Sequence, residues 1–172
     1  MGTPREPPPV KLIAGLLAAS PELLEAARAA LQDAFGLIDA ASSPHPWTVS
    51  TYYASEMGDE IWRQFVAFAD PLQPGELAGI KERTNALERR WIAETGRRVN
   101  IDPGYLDLTK LVLASTKDAA HRIYLGRGIY AEATLYFARG SFAPYGYTYP
   151  DYAAPPAIAF FNQVREAWKA KR

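Results

Sequence analysis

The stretch 10-VKLIAGLLAASPELLEAARAALQDAFG-36 predicts a strand followed by a helix. Residues 10–18 form an apolar run of strand length. Residues 20–22, Ser-Pro-Glu, are a helix start, because a serine hydroxyl caps free backbone N–H groups, proline suits the first helical position, and an acid favours the positive end of the helix dipole. Apolar residues then recur at helical spacing until Gly36. We therefore expect a buried strand and an amphipathic helix that covers a sheet.

The pattern continues with predicted strands over residues 47–53 and 61–68, a long helix over 76–95 and a short strand over 98–101. The order strand, helix, strand, strand, helix, strand is typical of two split β-α-β units. We therefore expect an α+β protein with a ferredoxin-like core of two layers, an antiparallel sheet covered on one face by two helices.

The chain beyond residue 102 predicts an extension of this core. A short helix is expected over residues 116–125 and a strand over 129–137. Arg139-Gly140 turns that strand back into a β-hairpin, and a last helix starts at Pro155. The expected extension is thus a C-terminal β-hairpin and helix.

The length and composition indicate one folded domain. The 172 residues include 48% apolar residues and no Cys, which excludes disulfide scaffolds, thiolate nucleophiles and Cys-based zinc sites. We expect a flexible Pro-rich arm over residues 1–9 and a single α+β domain over 10–172. The absence of Cys favours the cytoplasm, and the apolar run after the arm is too short to cross a membrane.

The net charge of zero is the sum of two unequal halves. Residues 1–86 carry a net charge of −5 and residues 87–172 a net charge of +5. Zero overall charge disfavours nucleic acid as a partner. If the protein binds an anion, the basic half is expected to supply the site, whereas charge pairing between the two halves is an equally good interpretation.

Asn100 and Asp102 are candidate ligand-binding residues. Two positions apart on a predicted strand, they project to the same face, and Pro103-Gly104 predicts a turn that would present them at the strand end. The alternative is that both side chains only cap that turn, because Asp-Pro-Gly is a turn signature in its own right.

Asp118 and His121 are the candidate catalytic residues. On a helix that begins after Thr116 they would lie three positions apart, on one face. His121 could then act as a general base oriented by the Asp118 carboxylate. A structural, ion-paired histidine is an equally good interpretation, so the sequence leaves open whether the protein is an enzyme.

No cofactor is predicted from the sequence. A divalent cation such as magnesium is left open, because Asp102, Asp118, His121 and Glu132 supply suitable ligands but share no spacing signature. Zinc is disfavoured, since neither histidine belongs to a metal-binding pattern. Gly126-Arg127-Gly128 could approach a phosphate, although the chain has no nucleotide-binding phosphate loop.

The Tyr-rich segment 129–149 supports a different class of function. Residues 127–131 match the opening of an RNA-recognition motif only in part, with Ile129 and Ala131 where stacking rings are expected. The hairpin could instead offer an aromatic surface to a protein partner in a non-catalytic regulatory or adaptor protein. A homodimer is also left open, because sheets with open edges often pair.

The chain resembles a bacterial family catalogued as domain of unknown function 4416, over nearly its whole length. The resemblance rests on TYY at 51–53, EMG at 56–58, Lys81 with Thr84-Asn85, residues 98–105, KLVLASTKD at 110–118, HRIYL at 121–125, GIYAE at 128–132 and YPDY at 149–152. It implies no activity. Some members carry a GTP-binding label, which the missing phosphate loop does not support.

These residues together predict a pocket for a small anionic ligand that bears a phosphate or carboxylate group. Lys117, Arg122 and Lys110 would hold the anion, and Asn100 and Asp102 would position it. The full set of predicted ligand-binding residues is Arg98, Asn100, Asp102, Lys110, Lys117, Arg122 and Glu132.

Overall fold

The computed structural model describes residues 2–171, which contain eleven strands and five α-helices. The strands are β1 Val10–Ala18, β2 Ile38–Ala41, β3 His45–Pro46, β4 Trp62–Leu72, β5 Ile92–Ala93, β6 Gly96–Arg97, β7 Val99–Leu106, β8 Lys110–Ser115, β9 Ile123–Gly126, β10 Ile129–Ala138 and β11 Ser141–Pro144. The helices are α1 Pro21–Phe35, α2 Ala54–Met57, α3 Leu77–Glu88, α4 Pro150–Ala153 and α5 Pro155–Ala170.

Nine of these strands form one sheet in the order β11-β10-β8-β7-β1-β4-β2, with β3 beside β4 and β9 beside β10. Every pairing in it is antiparallel. β5 and β6 form a separate two-stranded hairpin. All nine residues of β1 are buried, so this strand is covered on both faces.

Helices cover both faces of the sheet. On one face, Leu24 and Leu31 of α1 pack in a cluster with Leu16 of β1. On the other face, Phe161 of α5 packs in a cluster with Ile13. Within residues 2–171 no helix is long and apolar enough to cross a membrane.

The expected two-layer ferredoxin-like core is therefore wrong. The structure has a nine-stranded, antiparallel sheet between two helical layers. The expectation fails because the segments predicted as an extension continue the main sheet. Strands β8 and β10 join it through β7, and α5 covers the face that a two-layer fold leaves open.

Several predicted elements are confirmed. α1 begins after Ser20, whose hydroxyl accepts a hydrogen bond from the backbone N–H of Leu23. α5 begins at Pro155, and the predicted turn at Arg139-Gly140 joins β10 to β11, with positive φ angles at both residues. The predicted long helix is shorter than expected, because α3 ends at Glu88 and a 3-10 turn follows.

One predicted strand and one predicted helix are wrong. Residues 47–53 form a loop and turn before α2, in which Trp47 Nε1 donates to the backbone oxygen of Ser50 over 2.9 Å. Residues 116–125 are not a helix, because residues 123–126 pair with β10 as β9. The Arg127-Gly128 turn between these strands has positive φ at both residues, the geometry of a tight hairpin turn.

The sheet opens between β7 and β8. Their pairing runs only from Leu106↔Leu111 to Gly104↔Leu113. The next residue of β7 toward its start is Pro103, which has no N–H to donate to a neighbouring strand. Beyond this point β7 pairs with β1 alone and β8 with β10 alone.

Side chains of α3 hydrogen-bond the backbone groups of β7 that have no strand partner at the opening. Glu88 accepts a hydrogen bond from the backbone N–H of Ile101 over 2.6 Å, and Lys81 Nζ donates to its carbonyl oxygen over 2.8 Å. The predicted turn at Pro103-Gly104 is thus wrong, since both residues lie inside β7.

The predicted N-terminal arm has neither helix nor strand over residues 2–9, and all of them are exposed. Met1 lies outside the described residues.

Candidate functional site

A pocket of about 480 Å³ lies where β7 and β8 separate, on the sheet face that carries Tyr152. Both halves of the chain build it, not the basic half alone. Its aromatic lining comes from Trp47, Tyr52, Tyr53, Tyr149 and Tyr152. Its charged lining consists of Arg63, Asp102, Lys117, Arg122, Glu132 and Asp151. The three cations and three carboxylates balance.

Arg63 of β4 forms the floor of this pocket and is 1% exposed. Its Nη2 lies 2.5 Å from Asp151 Oδ2, and its guanidinium packs on the rings of Phe65 and Tyr152, with Cζ 4.6 and 4.9 Å from their centroids. Burial alone would lower the pKa of Arg63, but the charges around it, Asp151 and Asp102 among them, raise the pKa. Arg63 therefore stays charged and holds the Asp151 carboxylate.

Gly15 of β1 makes room for this floor. A Cβ at position 15 would lie 2.3 Å from the Tyr152 hydroxyl and 3.0 Å from Arg63 Nη2. Only glycine lets the ring and the guanidinium pack this closely on β1.

Asp102 is the partly exposed carboxylate of the pocket. Its Oδ2 accepts a hydrogen bond from Asn100 Nδ2 over 2.8 Å, and its side chain is 30% exposed. Arg63 Nη1 and Lys81 Nζ each lie 3.9 Å from a carboxylate oxygen, too far for a hydrogen bond. Oδ1 accepts no hydrogen bond from residues 2–171, so it is open to a ligand.

Lys117 is a cation of the pocket that has no acidic partner among the described residues. Its Nζ donates to the Tyr52 hydroxyl over 2.6 Å. That hydrogen bond lowers the pKa of Tyr52. Two N–H groups of the ammonium and the phenolic hydrogen of Tyr52 remain available to an acceptor.

Arg122 links the backbone at Lys117 to the side chains of Tyr149 and Glu132. Its Nη1 donates to the backbone oxygen of Lys117 and to Ser115 Oγ, both over 2.9 Å, and its Nη2 donates to the Tyr149 hydroxyl over 2.9 Å. Its Nε donates to Glu132 Oε2 over 2.7 Å. Arg122 thus holds the wall of the pocket, and Tyr149 keeps its own phenolic hydrogen to donate.

The structure brings four of the seven predicted ligand-binding residues into the pocket, namely Asp102, Lys117, Arg122 and Glu132. Asn100 is buried behind it and bonds to Asp102. Arg98 is exposed and does not line the pocket, and Lys110 pairs instead with Asp107, with Nζ 2.6 Å from Oδ2.

The predicted pair of Asp118 and His121 does not form. The helix that would align these side chains is absent, and His121 Nε2 lies 3.2 Å from Glu132 Oε2 while its ring stacks on Tyr147 at 4.2 Å between centroids. Asp118 is exposed and makes no side-chain hydrogen bond or ion pair with residues 2–171. Neither residue lines the pocket.

The described part of the chain contains no group of three or more His, Asp or Glu side chains that could hold a metal ion. The candidate ligands do not come together: Asp102 bonds to Asn100, Asp118 is exposed without a side-chain partner among the described residues, and His121 lies against Glu132. Glu132 is also bonded to Arg122. The four candidate side chains thus form no shared group of metal ligands within residues 2–171.

Sequence reasoning missed Arg63, Tyr52 and Tyr149 as pocket residues. One signal was available for Arg63, because a charged residue inside the apolar stretch 61–68 is costly unless it is paired. Tyr52 and Tyr149 lie in the blocks TYY and YPDY. These blocks form two of the pocket walls.

Residues 8–168 match the family described as Domain of unknown function (DUF4416). No curated protein and no solved structure matches the chain.

Proposed function

We propose that this chain, which belongs to the family described as Domain of unknown function (DUF4416), binds a small ligand through a phosphate or carboxylate group. The family description names no activity, so the proposal rests on the pocket. The absence of Cys suits a reducing compartment, and we place the protein in the cytoplasm.

The proposal rests on the ammonium group of Lys117. Its ammonium lines the pocket with no acidic partner among the described residues, while the other two pocket cations, Arg63 and Arg122, each have one. A cation without an acid beside it attracts an anion. The hydroxyls of Tyr52 and Tyr149 each accept from a cation, so each can donate its own hydrogen to the same anion.

The size and lining of the pocket support a small-molecule ligand. Its volume of about 480 Å³ lies within the range typical of such sites. Aromatic walls with a few fixed polar groups are the usual composition of a ligand pocket. The geometry supports binding, and since His121 does not line the pocket we assign it no proton transfer.

The test is calorimetric titration with pentyl phosphate and hexanoate, two simple anions with apolar tails. We expect wild type to bind at least one of them and Lys117→Met to bind it about tenfold or more weakly, because a hydrogen bond to a charged group is lost. Lys169→Met is the matched control, since Lys169 is an exposed lysine on α5 outside the pocket. Equal affinities of wild type and Lys117→Met would refute the proposal.

A further inference from the structure

We infer that the ligand carries hydroxyl groups beside its anionic group, so that its class is the sugar phosphates or the sugar acids. The inference rests on the proposed function and concerns Asp102, the second reachable charged group of the pocket.

Asp102 is held as a fixed hydrogen-bond acceptor. The Asn100 amide holds Oδ2 at 2.8 Å, while Oδ1 accepts no hydrogen bond from residues 2–171. Because the carboxylate is partly exposed and lines the pocket, its free oxygen can accept a hydrogen bond only from a ligand or from water. A ligand that fills the pocket without a donor would leave this oxygen unpaired, at a cost in affinity.

The charges around Asp102 decide which kind of donor suits it. Arg63 Nη1 and Lys81 Nζ flank the carboxylate at 3.9 Å each, and both are buried. A ligand ammonium at Oδ1 would add a third cation beside two that are already in place, and like charges this close repel. A hydroxyl donates the same hydrogen bond without a charge, so the site favours a hydroxyl over an amine.

The aromatic walls suit a ligand of this kind. Trp47 and Tyr53 meet edge to face, with centroids 6.1 Å apart, and Tyr52 and Tyr53 do the same at 4.9 Å. Such rings offer apolar surface to the carbon skeleton of the ligand, while their polar atoms hydrogen-bond at the edges. A polyhydroxylated anion uses all three features: the cation, the aromatic walls and the free carboxylate oxygen.

The experiment compares matched pairs of probes by calorimetric titration. Ribose 5-phosphate and pentyl phosphate share a five-carbon chain and a phosphate, whereas gluconate and hexanoate share a six-carbon chain and a carboxylate. We expect wild type to bind the hydroxylated member of one pair about tenfold or more tightly than its partner. The pair that binds distinguishes a sugar phosphate from a sugar acid.

Asp102→Asn tests the residue itself, with Asp33→Asn on α1 as the control outside the pocket. We expect Asp102→Asn to lose most of the preference for the hydroxylated probe and to bind the plain anion at least as tightly as wild type, because a negative charge of the pocket is removed. Asp33→Asn should keep both the preference and the affinity of wild type. Equal binding of both members of a pair by wild type would overturn the inference and leave the proposed function standing. Binding of no probe by wild type would overturn both, and an unchanged preference in a folded Asp102→Asn variant would overturn the role of Asp102.

Discussion

The ion pair between Arg63 and Asp151 is expected to be the most sensitive single contact of the pocket floor. Both side chains are almost fully buried, 2% and 5% exposed, and the atoms are 2.5 Å apart. Asp151→Ala would leave the buried guanidinium with Asp102 at 3.9 Å as its remaining acidic neighbour. Removing one partner of a buried pair costs about 3–5 kcal/mol, because the other charge stays buried and uncompensated.

We place the expected loss at the lower end, about 3 kcal/mol, because Asp102 compensates part of the charge. For a chain of this length, each kcal/mol shifts the melting temperature by about 2–4 °C, so Asp151→Ala should melt about 9 °C lower. Urea denaturation followed by circular dichroism measures the free energy of unfolding directly. Asp151→Asn, which keeps the shape and an acceptor oxygen, should lose less than Asp151→Ala.

The matched control is Glu25→Ala. Glu25 Oε1 lies 2.6 Å from Arg28 Nη2, and both side chains of this pair are exposed, 65% and 38%. Exposed pairs contribute about 0–1 kcal/mol, so this variant should unfold close to wild type. A loss below about 1 kcal/mol for Asp151→Ala, or equal losses in both variants, would refute the argument that burial determines how much an ion pair contributes to the free energy of unfolding.

Two further predictions concern the opening of the sheet. Gly104→Ala would place a Cβ 2.2 Å from the backbone oxygen of Val112, so β7 and β8 must move apart. We expect the free energy of unfolding, measured by urea denaturation, to fall by about 1–3 kcal/mol. Gly146→Ala is the control and should change this free energy little, because no atom lies within 4 Å of a Cβ at that position. Burial raises the pKa of Glu88 above that of the unfolded chain, so the contribution of Glu88 to the free energy of unfolding becomes less favourable as the pH rises from 4 toward 7. Glu88→Gln keeps an acceptor for the Ile101 N–H but does not ionise. The free energy of unfolding of this variant, relative to that of wild type, should therefore increase from pH 4 to pH 7. A difference that stays constant over this pH range would contradict a raised pKa of Glu88.

The elements that the sequence predicted correctly are those with strong local signals. Ser20 caps α1, Pro155 starts α5, and Arg139-Gly140 forms a tight turn, each through contacts within a few residues. The predicted strand and the predicted helix that are wrong have weaker local signals. Residues 123–126 become a strand only because β10 lies beside them, and that pairing depends on the folded sheet.

The candidate site was predicted in part for a related reason. Asp102 and Lys117 belong to a stretch, residues 98–122, in which polar and charged residues cluster, so the sequence marks them. Arg63 has its place because Gly15 leaves space above β1 and Asp151 supplies its partner, and these three residues are far apart in the chain. No local pattern shows such a contact, although an arginine inside a buried strand indicates that some partner exists.

Pro103 shows how one residue can support two structures. With Asp102 and Gly104 it has the sequence of a turn, and proline suits a turn because its φ is fixed and it lacks an N–H. The same missing N–H lets the residue sit in β7 at the point where pairing with β8 ends. Because the strand continues, Asp102 stays paired with β1 beside the pocket floor instead of turning away, and the gap between the two strands becomes the pocket. The property that predicted a turn therefore accounts for the opening of the sheet.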